Sequence, residues 1–101
     1  MSPPAYRLTK AAEDDLARLY EWGIDHFGAE AADTYYDRVI GRLEAIAEEP
    51  MLWQSVDHIR PGYRRSVLKA HSIYYQIAAE HVLIVRILSR ENPATSLPDA
   101  D

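Results

Sequence analysis

Eighteen residues in the second half of the chain, "RPGYRRSVLKAHSIYYQI" from Arg60 to Ile77, gather Arg60, Arg64, Arg65 and Lys69 with three tyrosines, and no carboxylate interrupts them. Each cation alone is ordinary surface. Together and unopposed they suit an anionic or carboxylate-bearing partner. Arg86 joins them from within the apolar run "VLIVRIL", where a guanidinium either pairs with a buried carboxylate or is aimed out at a functional face. Metal chemistry finds little support, because His26, His58, His71 and His81 are dispersed; only His71 and His81 fall on strands that pair, and no carboxylate completes a ligand set. Gly23, Gly28, Gly41 and Gly62 are too scattered for a phosphate loop. No cofactor or metal is therefore expected.

The charge of the whole chain narrows the partner. Among 101 residues the formal net charge is −5, with twelve acidic and five basic residues up to Asp57 and four acidic and six basic beyond it. Nucleic-acid binding relies on cations displacing counterions from phosphates, so only the second half could touch such a partner, and weakly. Nearly half the residues are hydrophobic and 27% are charged, a globular composition, and the length fits a single domain over 1–101. There is no cysteine, no apolar run of membrane-spanning length and no signal-like start, which together predict a cytoplasmic protein.

The elements that must position these side chains follow from periodicity. Tyr6-Arg7-Leu8 alternates as a short strand, and Thr9 then caps a helix whose early acids, Glu13, Asp14 and Asp15, suit the dipole. Ala12, Leu16, Leu19, Tyr20, Gly23 and Phe27 form its apolar stripe, leaving Asp15, Arg18, Glu21 and Asp25 on the polar side with Trp22, and Gly28 ends it. A second stripe, Ala32, Tyr35, Tyr36, Val39, Leu43, Ile46 and Ala47, runs to Pro50, with Glu48-Glu49 a solvated helix end. So short a joint predicts an antiparallel helical hairpin. "YRRSVL", "HSIYYQI" and "VLIVRIL", separated by Lys69-Ala70 and by 78–81, read as a three-stranded meander with the last strand central. Tyr74 and Tyr75 face opposite sides, one in the core and one half-exposed. The class is α+β, β-α-α-β-β-β, with the hairpin packed on an antiparallel sheet; 89–101, polar and broken by proline, is expected to be a flexible tail.

Taken in order, "YRLTKAAEDDLARLYEWGIDHFG", "AADTYYDRVIGRLEAIAEEP", "RPGYRRSVLKAHSIYYQI" and "VLIVRIL" resemble the ParE branch of the RelE/ParE toxin superfamily, from about Tyr6 to Leu88. The resemblance implies a type II toxin that arrests growth by inhibiting DNA gyrase, is neutralised by a small ParD-like antitoxin, and contacts DNA only through that antitoxin. It implies no catalytic residue. Arg60, Arg64, Arg65, Lys69 and Arg86 are then candidates for target contacts, and Leu16, Tyr20, Trp22 and Tyr36 for antitoxin contacts. The other branch, resembling RelE, cleaves mRNA on the ribosome, which needs a base, an acid and cations around a phosphate. Here Ser89 to Asp101 holds neither tyrosine nor histidine, leaving His71, Tyr74 and Lys69 as the substitutes such an endoribonuclease would use. A third alternative is an inactive toxin fold kept as an operon co-repressor.

Overall fold

A computed structural model describes residues 6–99. Ala100, Asp101 and the first five residues, on which part of the leader and tail readings fell, lie outside it. The chain runs β1 (Tyr6–Leu8), α1 (Lys10–Phe27), α2 (Ala29–Glu48), β2 (Arg64–Leu68), β3 (His71–Ile77), β4 (Val82–Leu88) and a short α3 (Pro93–Ser96). Thr9 starts α1 by accepting the Ala12 amide at 3.0 Å, while its own hydroxyl donates to Val85 O on β4 at 2.7 Å. One residue thereby sets both the helix start and its seat on the sheet. Gly28 joins the two helices at φ 91°, a conformation that needs glycine.

The sheet order is β1-β4-β3-β2. The meander is antiparallel as expected, and β1 adds to it in parallel, Tyr6 opposite Val82 and Leu8 opposite Ile84, so the sheet is mixed. A parallel neighbour is what the long helical crossover from β1 permits. The hairpin covers one face, where Ala12, Leu16, Val39, Leu43 and Ile46 pack against Leu68, Ile73, Tyr75, Ile84 and Ile87. Several of these are fully enclosed, and the larger aliphatic ones each contribute about 1.5–3 kcal/mol through burial. The helices cross closely at Gly23, where a Cβ would stand 3.2 Å from that of Ala32.

The other face has its own cluster of Val56, Tyr63, Tyr74, Val85, Leu88 and Leu97. Residues 89–99, read from the sequence as a flexible tail, are packed here. The segment folds back over the sheet because Leu97 supplies an apolar plug, 2% exposed, and Asn92 caps α3 through the Ala94 amide. It also corrects the assignment of one tyrosine to a half-exposed face: Tyr74 and Tyr75 do point to opposite sides, but each side is covered and both are buried.

At its outer edge β2 is shielded. The Arg65 amide donates to Gln54 O at 3.1 Å, Ser55 bridges to Arg64, and Arg42 Nη1 reaches from α2 to Val67 O at 3.0 Å and to the Ser66 hydroxyl at 2.7 Å.

Candidate functional site

The cations of the sequence patch do not form one surface. Consecutive strand residues point to opposite faces, so Arg64 and Arg65 part company at the start of β2. Arg64 turns toward the helical side and donates to Trp53 O at 2.6 Å. Arg65 lies opposite Tyr74 on the other face, its guanidinium 6.0 Å from that ring, with a buried Nε that meets no hydrogen-bond acceptor. Lys69 sits in the β2–β3 turn at φ 54°, exposed. Arg60 is engaged by the tail, donating to Leu97 O and Ala94 O and standing 3.2 Å from the Asp99 carboxylate. Among the described residues Arg64, Arg65 and Lys69 have no carboxylate within 4 Å.

Arg86 has found a carboxylate, and a strand irregularity brings it there. Tyr74 faces Arg86 whereas Tyr75 faces Ile84, so β4 carries one extra residue, Val85. That bulge rotates the rest of the strand and re-aims the side chain. Arg86 Nε lies 2.8 Å from Asp15 Oδ2 and Nη2 lies 2.9 Å from Oδ1, a two-point pair that holds the guanidinium above its usual pKa through the bond to Asp15. The Ile87 amide donates to the same carboxylate at 2.9 Å, and Arg18 also bonds it. Asp15, placed by the sequence pattern on the polar side of α1, is 4% exposed. Four donor contacts and two cations make up for the water it has lost.

The four candidates on the helices divide differently. Leu16, Tyr20 and Tyr36 come together with Leu8 and Ala17 in an open groove of about 750 Å³ between the helices, beside β1. Leu16 is mostly core, its edge forming the floor. Tyr20 meets Tyr36 edge to face at 5.6 Å and bonds Asp33 on α2. Glu13, Asp33 and Asp37 rim the groove, so its walls are acidic. Trp22 is elsewhere: 53% exposed, it stacks on His26 at 3.9 Å and meets Phe27 edge-on near the hairpin tip. Phe27 was expected on the packed stripe and is 68% exposed, because the helix has by then run past the sheet.

The alternative catalytic set is scattered. Tyr74 is enclosed beneath the tail cluster and Lys69 is out in its turn. His71 is tied to α2, its Nδ1 2.7 Å from the Tyr35 hydroxyl, which lies 3.1 Å from Leu68 O. A hydroxyl has one proton, so both contacts are met when Tyr35 donates to the carbonyl and accepts from Nδ1. Burial lowers the His71 pKa, against the opposing pull of Glu91 and Asp15. His81 stands at the other end of the β3–β4 pair, where its carbonyl accepts from Ala78, so the two histidines do not approach. No group of three metal-binding side chains gathers among the described residues.

The profile of the family described as "ParE toxin of type II toxin-antitoxin system, parDE" matches residues 6–93. Toxin ParE1 of Caulobacter vibrioides is 32% identical over 83 residues, covering 82% of this chain and 85% of that protein. Toxin ParE1 of Mycobacterium tuberculosis is 29% identical over 84 residues, covering 82% and 86%. Among solved structures, a chain of the chromosomal ParDE system from P. aeruginosa superposes with a TM-score of 0.77 at 19% identity, over 88% of this chain and 98% of that one.

Proposed function

The chain belongs to the ParE toxin family of type II toxin–antitoxin systems, and from that premise we propose that it inhibits DNA gyrase in the cytoplasm and is neutralised by a ParD-like antitoxin. The family match across nearly the whole folded chain carries this reading. No helix among the described residues is long and apolar enough to cross a membrane, in keeping with a toxin that meets its target inside the cell.

The groove between α1 and α2 is the proposed antitoxin seat. Its apolar floor of Leu8, Leu16, Ala17, Tyr20 and Tyr36, open and bordered by a three-residue edge strand, suits an amphipathic segment that folds on binding. Trp22, distant from that floor, is a contact only for a partner that continues to the hairpin tip. Arg64, Arg65 and Lys69 remain the candidate target contacts, since no carboxylate among the described residues engages them; Arg60 and Arg86 serve the fold first. Toxicity acts by stoichiometric binding in this reading; of the side chains the nuclease alternative would use, His71 faces α2 and Tyr74 lies in the cluster on the other face of the sheet.

The test titrates the purified protein into a gyrase supercoiling reaction beside a ribosome-dependent mRNA cleavage reaction. Lost supercoiling or trapped cleaved DNA, with intact mRNA, is the expected result. Cleaved mRNA with unaffected gyrase would overturn the proposal.

A further inference from the structure

The sheet face away from the helices is closed by the chain's own C-terminal segment, and the polar contacts there run in one direction. The body supplies donors: Arg60 Nε to Leu97 O at 3.1 Å, Arg60 Nη2 to Ala94 O at 2.9 Å, Tyr63 Oη to Pro98 O at 2.8 Å and Arg86 Nη1 to Ser96 O at 3.5 Å. The segment supplies main-chain carbonyls, which any peptide carries. Its own identity enters at two points: Leu97 in the pocket of Val56, Tyr63, Tyr74, Val85 and Leu88, and Asp99 on Arg60. No strand ladder ties the segment to the sheet. Its tether is self-contained, since Glu91 gathers the Ser89 and Arg90 amides and the Ser89 hydroxyl, and α3 is capped from within by Asn92.

We propose that this outer face is a peptide-binding site, filled in cis by Ala94–Asp99 and open in trans to a partner segment that enters as a helical turn and carries an aliphatic residue followed two positions later by a carboxylate. Charge decides for an acidic partner. On this face Arg60 and Arg86 reach the segment and Arg65 lies against Tyr74, with no ion pair among the described residues; of the carboxylates of the body around them, Asp15 is held by Arg86 and Arg18, Asp57 by the Gly62 amide and Glu91 by the Ser89 and Arg90 amides. A basic peptide would meet three guanidinium groups. Competition is set by the tether, because a short linker gives the cis segment an effective concentration on the order of millimolar. A partner therefore enters once the Leu97 contact is weakened or outmatched. The inference stands apart from the gyrase reading, and neither gyrase nor antitoxin enters its test.

The experiment uses the full chain and a fluorescein-labelled peptide of residues 93–99, followed by fluorescence anisotropy. Leu97→Ala is expected to bind the peptide at least tenfold more tightly than the unaltered chain. Adding Arg60→Ala, or replacing the peptide's leucine by alanine or its aspartate by asparagine, is expected to lose that gain. Hydrogen exchange on Leu97→Ala should quicken at the Ser96 and Leu97 amides, which are bonded within the segment, and stay unchanged across β3 and β4. Two results would overturn the proposal: no peptide binding by a Leu97→Ala chain whose sheet stays protected, or loss of sheet protection itself.

Discussion

Asp15 and Arg86 sit 71 positions apart and hold helix to sheet through two short bonds and one shared amide. Removing one partner strands the other. Asp15→Ala or Arg86→Leu is expected to cost roughly 3 kcal/mol in urea unfolding, while the double replacement by leucine costs clearly less than the sum, the sign of an uncompensated charge in each single variant. Half of this pair was legible in the sequence. An arginine in an apolar strand required a carboxylate or a partner, and the sequence did not choose between them. The carboxylate was hidden because acids early in a helix are favourable for another reason. On the helical wheel, however, Asp15 lies only about 40° from Leu19, on the flank of the apolar stripe. His71 gives a second test at this scale. Its folded pKa is below the usual 6.5, so below about pH 6.5 the unfolded chain takes up a proton that the folded one resists. Its stability contribution is complete above that pH and falls as pH drops toward the folded value. The urea midpoint should decline between pH 7 and 5.5, and less steeply in His71→Gln.

The two helices behave differently at their two interior glycines. A methyl at Gly41 meets nothing within 4 Å, so Gly41→Ala should gain about 0.5–1 kcal/mol from helix propensity alone. At Gly23 the same gain is opposed by the contact with Ala32, and overpacking costs about 1–3 kcal/mol, so Gly23→Ala should be neutral to destabilising; thermal unfolding of the pair of variants reads the difference. Element boundaries were largely legible because each carries a chemical signal: Thr9 as cap, Gly28 as joint, Pro50 as stop, and the two turns of the meander. What periodicity could not supply was the covering of the second sheet face. "ENPATSLPDAD" has one large apolar residue, and a composition argument weighs the average whereas the fold depends on where Leu97 lands. The bulge at Val85 was equally invisible, since VLIVRIL is apolar on both faces and offers no alternation to break. Of the candidate site residues, Leu16, Tyr20 and Tyr36 line one groove, while the cationic run, contiguous in sequence, is split by the strand itself.

Across the molecule, 38 × 38 × 22 Å in extent, the acidic groove and the cations Arg64, Arg65 and Lys69 occupy different regions. The two proposed partners are therefore separable by mutation. Arg64→Glu with Arg65→Glu is expected to abolish growth arrest on expression while leaving antitoxin affinity within about threefold, a change of under 1 kcal/mol; equal loss of both, or of neither, would remove these arginines from target binding. The sheet that joins the two regions ends on each side in a protected border. On one side β1 offers three residues, and on the other Arg42 occupies Val67 O while Gln54 and Ser55 cover the start of β2. A border so shielded gives a neighbouring chain few free main-chain groups to align on. On this geometry the sheet offers little for edge-to-edge growth into fibrils, whether or not another chain covers it.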